Sequence, residues 1–417
     1  MKKTLVVSGI ASNQGKTLLT MALLHHFKSR VRPFKIGPDF IDPQFHEKVA
    51  SCPCVNLDGF MMNESQLQWM FKRYSDKEVS ICEGVMGFYD GMDKNSSAYD
   101  VAKILKIPTL LILDASGSYI TISAVINGML NFREENTIKA VVLNKISSQM
   151  HFELVKKYID LECKGVVVVG WIKGDLPTLS SVHLGLNLKE LELKELKKIS
   201  EDVLMHIDTK LLESVMDVGI EEVQEYPFRP IVKKDEKCVL VKDKNFSFIY
   251  HDNIEYLHEV YKEVLIIDST KDEIVPKDTD IVIIGGGYVE TQESYERVRN
   301  SHKFRNSLIA HANKNKKIYA ECAGLIYLGK SIDEKEMSGI LDIEFKLGKK
   351  RTRLGYYYGE DCETKELTKG HAFHYSFVSG GIGGNIGLFK SNKNSMSDGG
   401  WKKGKVVGTY LHTMWRC

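Results

Sequence analysis

Short apolar runs separated by segments of helix length are the feature that most constrains how this 417-residue chain can fold. In the first half of the chain these runs are TLVVSG (4–9), VSICEG (79–84), PTLLILDAS (108–116), KAVVLNKI (139–146) and GVVVVGWI (165–172). Strands that are apolar throughout, with helices between them, are typical of a parallel sheet buried on both faces. The pattern therefore predicts an α/β domain built on a parallel sheet.

A second series of apolar runs follows a stretch rich in Leu, Glu and Lys and the linker-like segment YPFRP. Its members are KCVLVKD (237–243), EVLIIDS (263–269), DIVIIGGG (280–287), KKIYAECAG (316–324) and KVVGTYLH (405–412). We therefore expect a first α/β domain at 1–190, a helical segment and linker at 191–235, and a second α/β domain at 236–417.

Charge and composition exclude several classes of protein. The chain has 57 basic and 55 acidic residues, so no general affinity for nucleic acid is expected. No apolar run approaches the ~18 residues of a membrane-spanning helix. The eight cysteines show no paired framework. We expect a soluble protein of the reducing cytoplasm, without nucleic-acid or membrane partners.

The segment GIASNQGKT, residues 9–17, follows an apolar strand and opens a helical stretch, which is the context that a phosphate-binding loop requires. Backbone N–H groups and the helix N-terminus cradle the phosphates in such a loop. We expect Lys16 to contact the outer phosphates and Thr17 to ligate Mg²⁺. The predicted nucleotide-binding residues of the loop are Gly9, Ser12, Asn13, Gln14, Gly15, Lys16 and Thr17.

Acidic residues in two glycine-containing segments are candidates to complete this site. Asp39 and Asp42 lie in KIGPDFIDP, and Glu83 and Asp90 lie in CEGVMGFYDG. Glu83 is expected at the carboxyl end of a strand, where ligands of open α/β sheets bind and a carboxylate can hold a metal. Each acid can alternatively be a loop cap or a surface charge. Asn144, which also closes a strand, can read a nucleotide base or simply belong to a turn.

Cys322 stands at the tip of an apolar strand and is followed by two small residues and a helical run. A tight turn of this kind holds a nucleophile clear of the sheet, and the helix N-terminus favours the thiolate form that attacks. A lone cysteine is more often a small buried apolar residue. Two companions favour the catalytic interpretation here, namely a glycine-rich strand end and a histidine.

The glycine-rich strand end and the histidine supply the remaining parts of a thiol hydrolase. The predicted oxyanion donors are the N–H groups of Gly286, Gly287 and Ala323. His412 closes the last apolar run and is the predicted general base. A carboxylate two residues after the histidine would orient its ring, but Met414 occupies that position. The sequence therefore predicts a Cys–His dyad and names no third member.

Taken together, these motifs resemble the cobyrinate a,c-diamide synthase family over nearly the whole chain. The matching motifs, in the family's order, are the phosphate loop, KIGPDFIDPQFH, NLDGFMM, CEGVMGFYDG, HLGL, GGGY, YAECAGLIYL, LGY, FHYS and TYLH. One departure is Asn13, which stands where the family often has glycine. The resemblance implies a dethiobiotin-synthetase-like ATPase domain followed by a class I glutaminase-like domain that lacks the third triad member.

The resemblance also implies roles for individual residues. It places Thr17, Asp39 and Glu83 on metal positions and Asp39, Asp42 and Asp90 on substrate-activation positions. Cys322 would form a thioester with glutamine, and ATP with Mg²⁺ would activate the acid. His183 and Tyr356 are hypotheses for contacts with the macrocycle.

The activity implied is amidation of the a and c acetates of cobyrinate through acyl phosphates. Nickel sirohydrochlorin and hydrogenobyrinate remain alternative substrates, and a non-catalytic nucleotide-dependent regulator is the alternative of a different class. The expected partners are glutamine and a polycarboxylate tetrapyrrole, with a homodimer left open as the assembly.

Overall fold

A computed structural model describes residues 2–91, 95–174, 181–182, 185–186, 193–217, 219, 225–390 and 395–417. The chain divides into two compact units, Met1–Pro227 and Phe228–Cys417. No helix within the described ranges is both long enough and apolar enough to cross a membrane.

The first unit is an α/β domain. Its strands are β1 (Lys3–Gly9), β2 (Val31–Ile36), β3 (Val55–Leu57), β4 (Val79–Gly84), β5 (Thr109–Asp114), β6 (Ile138–Ile146), β7 (Val167–Lys173), β8 (Ser181–Val182) and β9 (Gly185–Leu186). Its helices are α1 (Lys16–Phe27), α2 (Asp42–Ala50), α3 (Glu64–Tyr74), α4 (Ala98–Leu105), α5 (Thr121–Asn131), α6 (Gln149–Glu162), α7 (Leu193–Leu204) and α8 (Thr209–Val215), with a 3₁₀ turn at Lys28–Arg30.

Seven of these strands form one sheet in the order β3-β2-β4-β1-β5-β6-β7, and every neighbouring pair is parallel. This confirms the predicted fold class of the first unit and all five of its predicted strands. The sequence analysis missed β2 and β3. The strand β2 contains Arg32 and Lys35, which interrupt its apolar pattern although both are buried, and β3 has only three residues.

Helices α7 and α8 belong to the first unit. Val203 of α7 and Leu212 of α8 are fully buried in the same core cluster as Leu5 of β1 and Val142 of β6. The segment that we expected to be separate, 191–235, is therefore divided by the structure, and the boundary between the units lies at Pro227. The apolar face of α7 needs a partner, and α1 supplies it.

The second unit combines a parallel sheet with antiparallel extensions. Its strands are β10 (Lys234–Val241), β11 (Tyr261–Ile267), β12 (Ile281–Ile284), β13 (Lys317–Glu321), β14 (Ser331–Ile332), β15 (Lys335–Glu336), β16 (Ile343–Leu347), β17 (Arg353–Asp361), β18 (Leu367–His374), β19 (Ser376–Gly381), β20 (Ile386–Phe389), β21 (Ser397–Lys403) and β22 (Val406–Thr409). Its helices are α9 (His251–Val260), α10 (Gln292–Asn300), α11 (His302–Asn313) and α12 (Ala323–Leu328), with a 3₁₀ turn at Ser269–Lys271.

The main sheet of this unit has the order β11-β10-β12-β13-β22-β21-β20-β17-β18. Its strands pair in parallel from β11 to β22 and antiparallel from β22 to β18. All five predicted strands lie in the parallel part, which confirms the α/β class of this unit. The antiparallel strands were not predicted, because glycines and polar residues interrupt them and leave no continuous apolar run.

The end of the chain is held to the second unit by a buried ion-pair cluster. Arg416 Nε lies 2.9 Å from Asp252 Oδ2, and its Nη1 lies 2.7 Å from Glu259 Oε2, both on α9. The guanidinium is fully buried, and Asp252 is nearly so. Because burial removes these charges from water, each depends on the other for its solvation.

We expect Arg416→Ala to lower the free energy of unfolding by about 3–5 kcal/mol, because it leaves the buried Asp252 carboxylate without its cation. Urea denaturation followed by circular dichroism measures this loss. Lys262→Ala is the matched control, because it removes a pair with Asp235 in which both side chains are exposed. Equal midpoints for the two variants would contradict the prediction.

Candidate functional site

The phosphate loop connects β1 to α1 and is shaped by two residues in the left-handed region. Gly15 has a φ of 96° and Asn13 a φ of 61°. Asparagine tolerates this region better than most residues, so Asn13 can keep the loop conformation where the family often has glycine. A side chain at position 15 would place its Cβ 2.6 Å from Asn144 Nδ2, so the close approach requires glycine.

Lys16 points back along its own loop. Its Nζ donates a hydrogen bond to the carbonyl of Ala11 at 2.7 Å. Burial lowers the pKa of Lys16 to about 8, against the opposing field of Glu83. The Lys16 ammonium thus lies against the phosphate loop, whose backbone N–H groups would donate hydrogen bonds to phosphate oxygens.

A buried cation, Lys35, holds the predicted acidic residues together. Its Nζ lies 2.5 Å from Asp42 Oδ2, 3.0 Å from Glu83 Oε1 and 3.3 Å from Asp39 Oδ2. Lys35 is only 1% exposed, and its register partner on β4 is Glu83. The sequence analysis did not assign Lys35 to the site. The signal was a lysine inside a strand that is otherwise buried, because lysine is almost never fully buried without a partner.

The charged groups around Lys35 shift one another's pKa values. Burial alone would raise the pKa of Glu83, but Lys35 and then His46 outweigh it and hold the pKa well below its usual range. Burial would lower the pKa of Lys35, yet Asp42, Glu83 and Asp39 raise it well above normal. Burial raises the pKa of Asp42 to about 6, although Lys35 opposes it. Asp42 is therefore the carboxyl of the three that exchanges protons nearest to neutral pH.

His46 is a further residue that the sequence analysis did not assign. It is fully buried on α2, and its Nε2 lies 2.8 Å from Glu83 Oε2. Lys35 and Thr17 occupy the other carboxylate oxygen, since Thr17 Oγ1 donates to Glu83 Oε1 at 2.9 Å. Glu83 is thereby fixed with one oxygen toward the phosphate loop.

The oxygen atoms near Thr17 fit the donor set of a magnesium ion. Thr17 Oγ1 contacts Glu83 Oε1 and, at 3.3 Å, Asp42 Oδ2. Asp39, predicted as a ligand together with Thr17 and Glu83, accepts the backbone N–H of Ile41 through its Oδ1 at 2.8 Å, and its Oδ2 lies 3.3 Å from Lys35 Nζ. In the described ranges no three acidic, histidine or cysteine side chains form a metal cluster. Magnesium commonly uses one or two carboxylates together with phosphates and water.

Asp90 and Asn144 support the loop. Asp90 Oδ2 accepts the N–H of Gly87 at 3.0 Å, which closes the turn after β4, and Phe88 N–H donates to the Gly9 carbonyl at 2.7 Å. Asn144 Nδ2 donates to the carbonyl of Gln14 at 2.9 Å. The structure therefore places Asn144 against the phosphate loop, where its amide N–H holds the backbone.

In the second unit, Cys322 lies between β13 and α12 with a φ of 48° and a ψ of −104°. This is a strained conformation for a residue with a side chain, of the kind found at a nucleophile turn. The crowding that requires small neighbours is visible at Gly324, where a Cβ would lie 2.8 Å from the carbonyl oxygen of Ile284.

His412 lies against Cys322 and the glycine-rich strand end. The Cβ of any residue replacing Gly286 would lie 2.2 Å from His412 Cε1. Burial would lower the pKa of His412, but Cys322, through its charge and a hydrogen bond, and Glu321 raise it to about 10. The imidazole thus faces the sulfur, and the neighbouring Cys322 and Glu321 favour its protonated form.

The predicted oxyanion donors differ in availability. The N–H of Gly286 donates to the carbonyl of Phe248 at 3.2 Å, so we no longer assign Gly286 as a donor. The N–H groups of Gly287 and Ala323 have no partner within the described part of the chain. These two remain predicted donors.

Glu321 is a third member that the sequence analysis did not find. Its Oε2 lies 3.6 Å from His412 Nδ1, and both side chains are 3% exposed. Its Oε1 accepts from Thr413 Oγ1 at 2.9 Å, Tyr319 OH at 3.0 Å and Trp415 Nε1 at 3.1 Å. These donors fix the carboxylate so that its other oxygen faces the histidine. The available signal was a glutamate directly before the nucleophile in a buried strand.

Of the two macrocycle hypotheses, His183 falls outside the described residues. Tyr356 is buried on β17, and its ring centroid lies 6.1 Å from that of His371. His371 in turn exchanges backbone hydrogen bonds with His412. Tyr356 thus lies in the same unit as the Cys322 site.

Comparisons with known proteins agree with both halves of this description. Residues 5–186 match the family model described as "CobQ/CobB/MinD/ParA nucleotide binding domain". Residues 237–416 match the one described as "CobB/CobQ-like glutamine amidotransferase domain". A cobyrinate a,c-diamide synthase of Fusobacterium nucleatum subsp. nucleatum is 34% identical over 402 residues, covering 90% of this chain and 88% of the relative. The chain belongs to the cobyrinate a,c-diamide synthase family.

Other relatives extend the match. A family member from Caldanaerobacter subterraneus subsp. tengcongensis is 34% identical and covers 91% of this chain and 88% of its own. One from Methanococcus maripaludis is 32% identical, with coverages of 98% and 96%. A solved glutamine amidotransferase of Thermotoga maritima covers 43% of this chain and 76% of its own, with 15% identity and a TM-score of 0.32, too low to support an argument. Members of this family are glutamine-dependent, ATP-using amidotransferases, and this chain is one.

The carboxylate of Glu321 predicts a specific pH effect. We expect Glu321→Gln to lower glutamine-dependent kcat/KM by about 10²-fold, because the protonated ring loses its orienting charge. The alkaline limb of its pH profile should move to lower pH by about 1–3 pH units, since removing an anion lowers the pKa of His412.

Glutamate release measured from pH 6 to 10 tests this expectation, and ammonium-driven turnover at each pH serves as the internal control. A purely structural role would lower the activity without moving the limb. An unmoved limb would therefore contradict the assignment.

Proposed function

We propose that this chain transfers ammonia from glutamine to the a and c acetate carboxylates of cobyrinate, using ATP to form acyl phosphates. One observation carries the proposal. A single chain holds a buried histidine, paired with Glu321, beside a strand-end thiol and, in its other unit, a phosphate loop beside buried carboxylates. The names of the relatives, which cover 90% and more of the chain, support the choice of cobyrinate.

In the glutaminase half, the Cys322 thiolate attacks the side-chain amide carbon of glutamine. The resulting oxyanion accepts hydrogen bonds from the N–H groups of Gly287 and Ala323. His412 gives its proton to the departing nitrogen, so ammonia leaves and a thioester remains. Neutral His412 then takes a proton from water, which attacks the thioester and releases glutamate.

In the synthetase half, a substrate carboxylate oxygen attacks the terminal phosphorus of ATP, which forms an acyl phosphate and releases ADP. This step is needed because a carboxylate is inert toward ammonia and hydroxide leaves poorly. Ammonia then adds to the acyl carbon, and the C–O bond to phosphate breaks to give the amide. Asp42 would accept the proton that the nitrogen loses, a role supported by its pKa, which burial raises to about 6.

The remaining residues of this half bind and neutralise phosphate. Lys16 and the N–H groups of the loop would contact the outer phosphates. Thr17, Asp39 and Glu83 would hold Mg²⁺, which neutralises charge on the phosphates when bound. Lys35 keeps Asp42 and Glu83 in place through direct ion pairs.

The two half-reactions predict distinct responses to mutation. We expect Cys322→Ala to abolish glutamine-driven amidation while ammonium-driven amidation continues, because the second unit is then bypassed. We expect Lys16→Ala to lose both by about 10²-fold or more, because the phosphate charge is no longer matched. Product amide measured with glutamine or with ammonium chloride distinguishes the two variants. Full glutamine use by Cys322→Ala would rule out the thioester.

The substrate is tested by assaying purified protein with ATP, Mg²⁺ and glutamine against three tetrapyrroles. We expect cobyrinate to gain two amides, detected by mass spectrometry, at a higher kcat/KM than nickel sirohydrochlorin or hydrogenobyrinate. A preference for either alternative would replace cobyrinate in the proposal. No amide on any of the three would refute the substrate class.

A further inference from the structure

A row of aromatic side chains is exposed on the antiparallel part of the second unit. Phe373, Tyr375 and Phe377 alternate along the chain with the buried residues His374 and Ser376. Phe373 is 42% exposed and Phe377 is 41% exposed, and the ring centroids of Phe373 and Tyr375 lie 6.0 Å apart. Because successive side chains of an extended segment point to opposite sides, the three rings lie on one face, which we call the aromatic row.

The register of the neighbouring strand connects the aromatic row to the catalytic histidine. Leu354 on β17, which is exposed, is the cross-strand partner of Phe373. Two residues further along β17, Tyr356 pairs with His371 and therefore shares this face. His371 exchanges backbone hydrogen bonds with His412. The aromatic row thus belongs to the strand pair that contacts the predicted general base.

A basic loop, residues 348–352, joins β16 to β17 beside the aromatic row. The N–H of Gly348 and the hydroxyl of Thr352 both donate to the carbonyl of Tyr375, each at 2.9 Å. The three residues between these two anchors, 349–351, are Lys, Lys and Arg, and all three are exposed. Because both ends of the loop are fixed to one carbonyl of the aromatic row, its cations are kept next to the rings.

The cations on this face are not neutralised by acids. Arg351 Cζ lies 5.9 Å from the centroid of the Phe373 ring, which is a cation–π distance. Lys346 on β16 is exposed and is the cross-strand partner of Phe377. Among the residues that the structure describes, no acidic side chain forms an ion pair with Lys346 or with a cation of the basic loop. The face therefore presents positive charges around exposed rings.

This combination fits a ligand with broad apolar faces and several carboxylates. Exposed apolar patches with a polar rim mark binding sites. A tetrapyrrole has such faces and carries its acid side chains around the edge of the macrocycle. A single-stranded nucleic acid also combines rings with negative charge, but it is bound in a groove of cations that follows the backbone over several nucleotides. The cations here are confined to one loop and one neighbouring strand, which favours the tetrapyrrole.

We propose that the aromatic row and the basic loop bind the macrocycle of the polycarboxylate tetrapyrrole, with an apolar face against Phe373 and carboxylates against the cations of the loop. The inference rests on the proposed function and adds to it the residues that recognise the body of the substrate, apart from the acetates that react. A carboxylate paired with a lysine or arginine forms a charge-assisted hydrogen bond, which is stronger than a neutral one. Tyr356, the earlier hypothesis for a macrocycle contact, shares this face.

The test measures KM and kcat for cobyrinate with saturating ATP, Mg²⁺ and glutamine. The double variant Lys349→Glu, Lys350→Glu should raise the KM by about 10-fold or more while kcat stays within about twofold, because the carboxylates then meet repulsion instead of attraction. Raising NaCl from about 50 mM to about 500 mM should raise the KM of wild-type protein and change that of the double variant little, since salt screens exposed charges. Phe373→Ala should raise the KM by about 10-fold and keep the salt dependence of wild type.

The matched control is the double variant Lys303→Glu, Lys314→Glu, which makes the same change of net charge at exposed lysines of α11 and its C-terminal end. Its KM, kcat and salt dependence should equal those of wild type. Thermal midpoints from circular dichroism show which variants are folded, and if Phe373→Ala is unfolded, the loop variant decides the outcome.

A KM for cobyrinate that the loop variant shares with the control would overturn the proposal. An unchanged KM together with altered oligomeric state or altered oligonucleotide binding would overturn it too, because the face would then bind a second copy of the chain or a nucleic acid. If wild-type protein amidates none of the three tetrapyrroles, the proposed function itself fails.

Discussion

Both sites depend on burying charge at the carboxyl ends of parallel strands. A buried charge is stable only when an opposite charge and hydrogen bonds replace water, so the residues around it cannot move independently. In the first unit Lys35 is held by three carboxylates, and in the second His412 is held between Cys322 and Glu321. Each catalytic group is thereby held in place before any substrate binds.

The same constraint explains two departures from the expected motifs. Met414 stands where a carboxylate would orient the histidine, and Glu321 supplies the charge from the adjacent strand instead. Asn13 stands where glycine is common in the family, and its left-handed backbone keeps the phosphate loop open. In both cases a different residue meets the requirement, which is an orienting carboxylate for the histidine and a left-handed backbone for the loop. A motif search therefore scores these positions as losses, although the structure supplies a replacement for each.

Much of the two sites could be predicted because their residues stand at the ends of recognisable strands. Gly15, Lys16 and Glu83 follow apolar runs, and Cys322 follows another, so the carboxyl-edge rule places them correctly. Lys35 was missed for the opposite reason. It lies inside a strand, so the local pattern does not show that its side chain reaches the carboxylates of the site.

The amino-acid sequence by itself determined the two α/β units, the parallel sheets, the phosphate loop and the nucleophile turn, because each follows from local periodicity or from residues next to one another. Only the tertiary structure decided which charged groups pair with one another. The pairing of Glu321 with His412 and the assembly of three carboxylates on Lys35 both depend on distances across strands. Such distances are set by sheet order and register, which a single sequence does not encode in any local pattern.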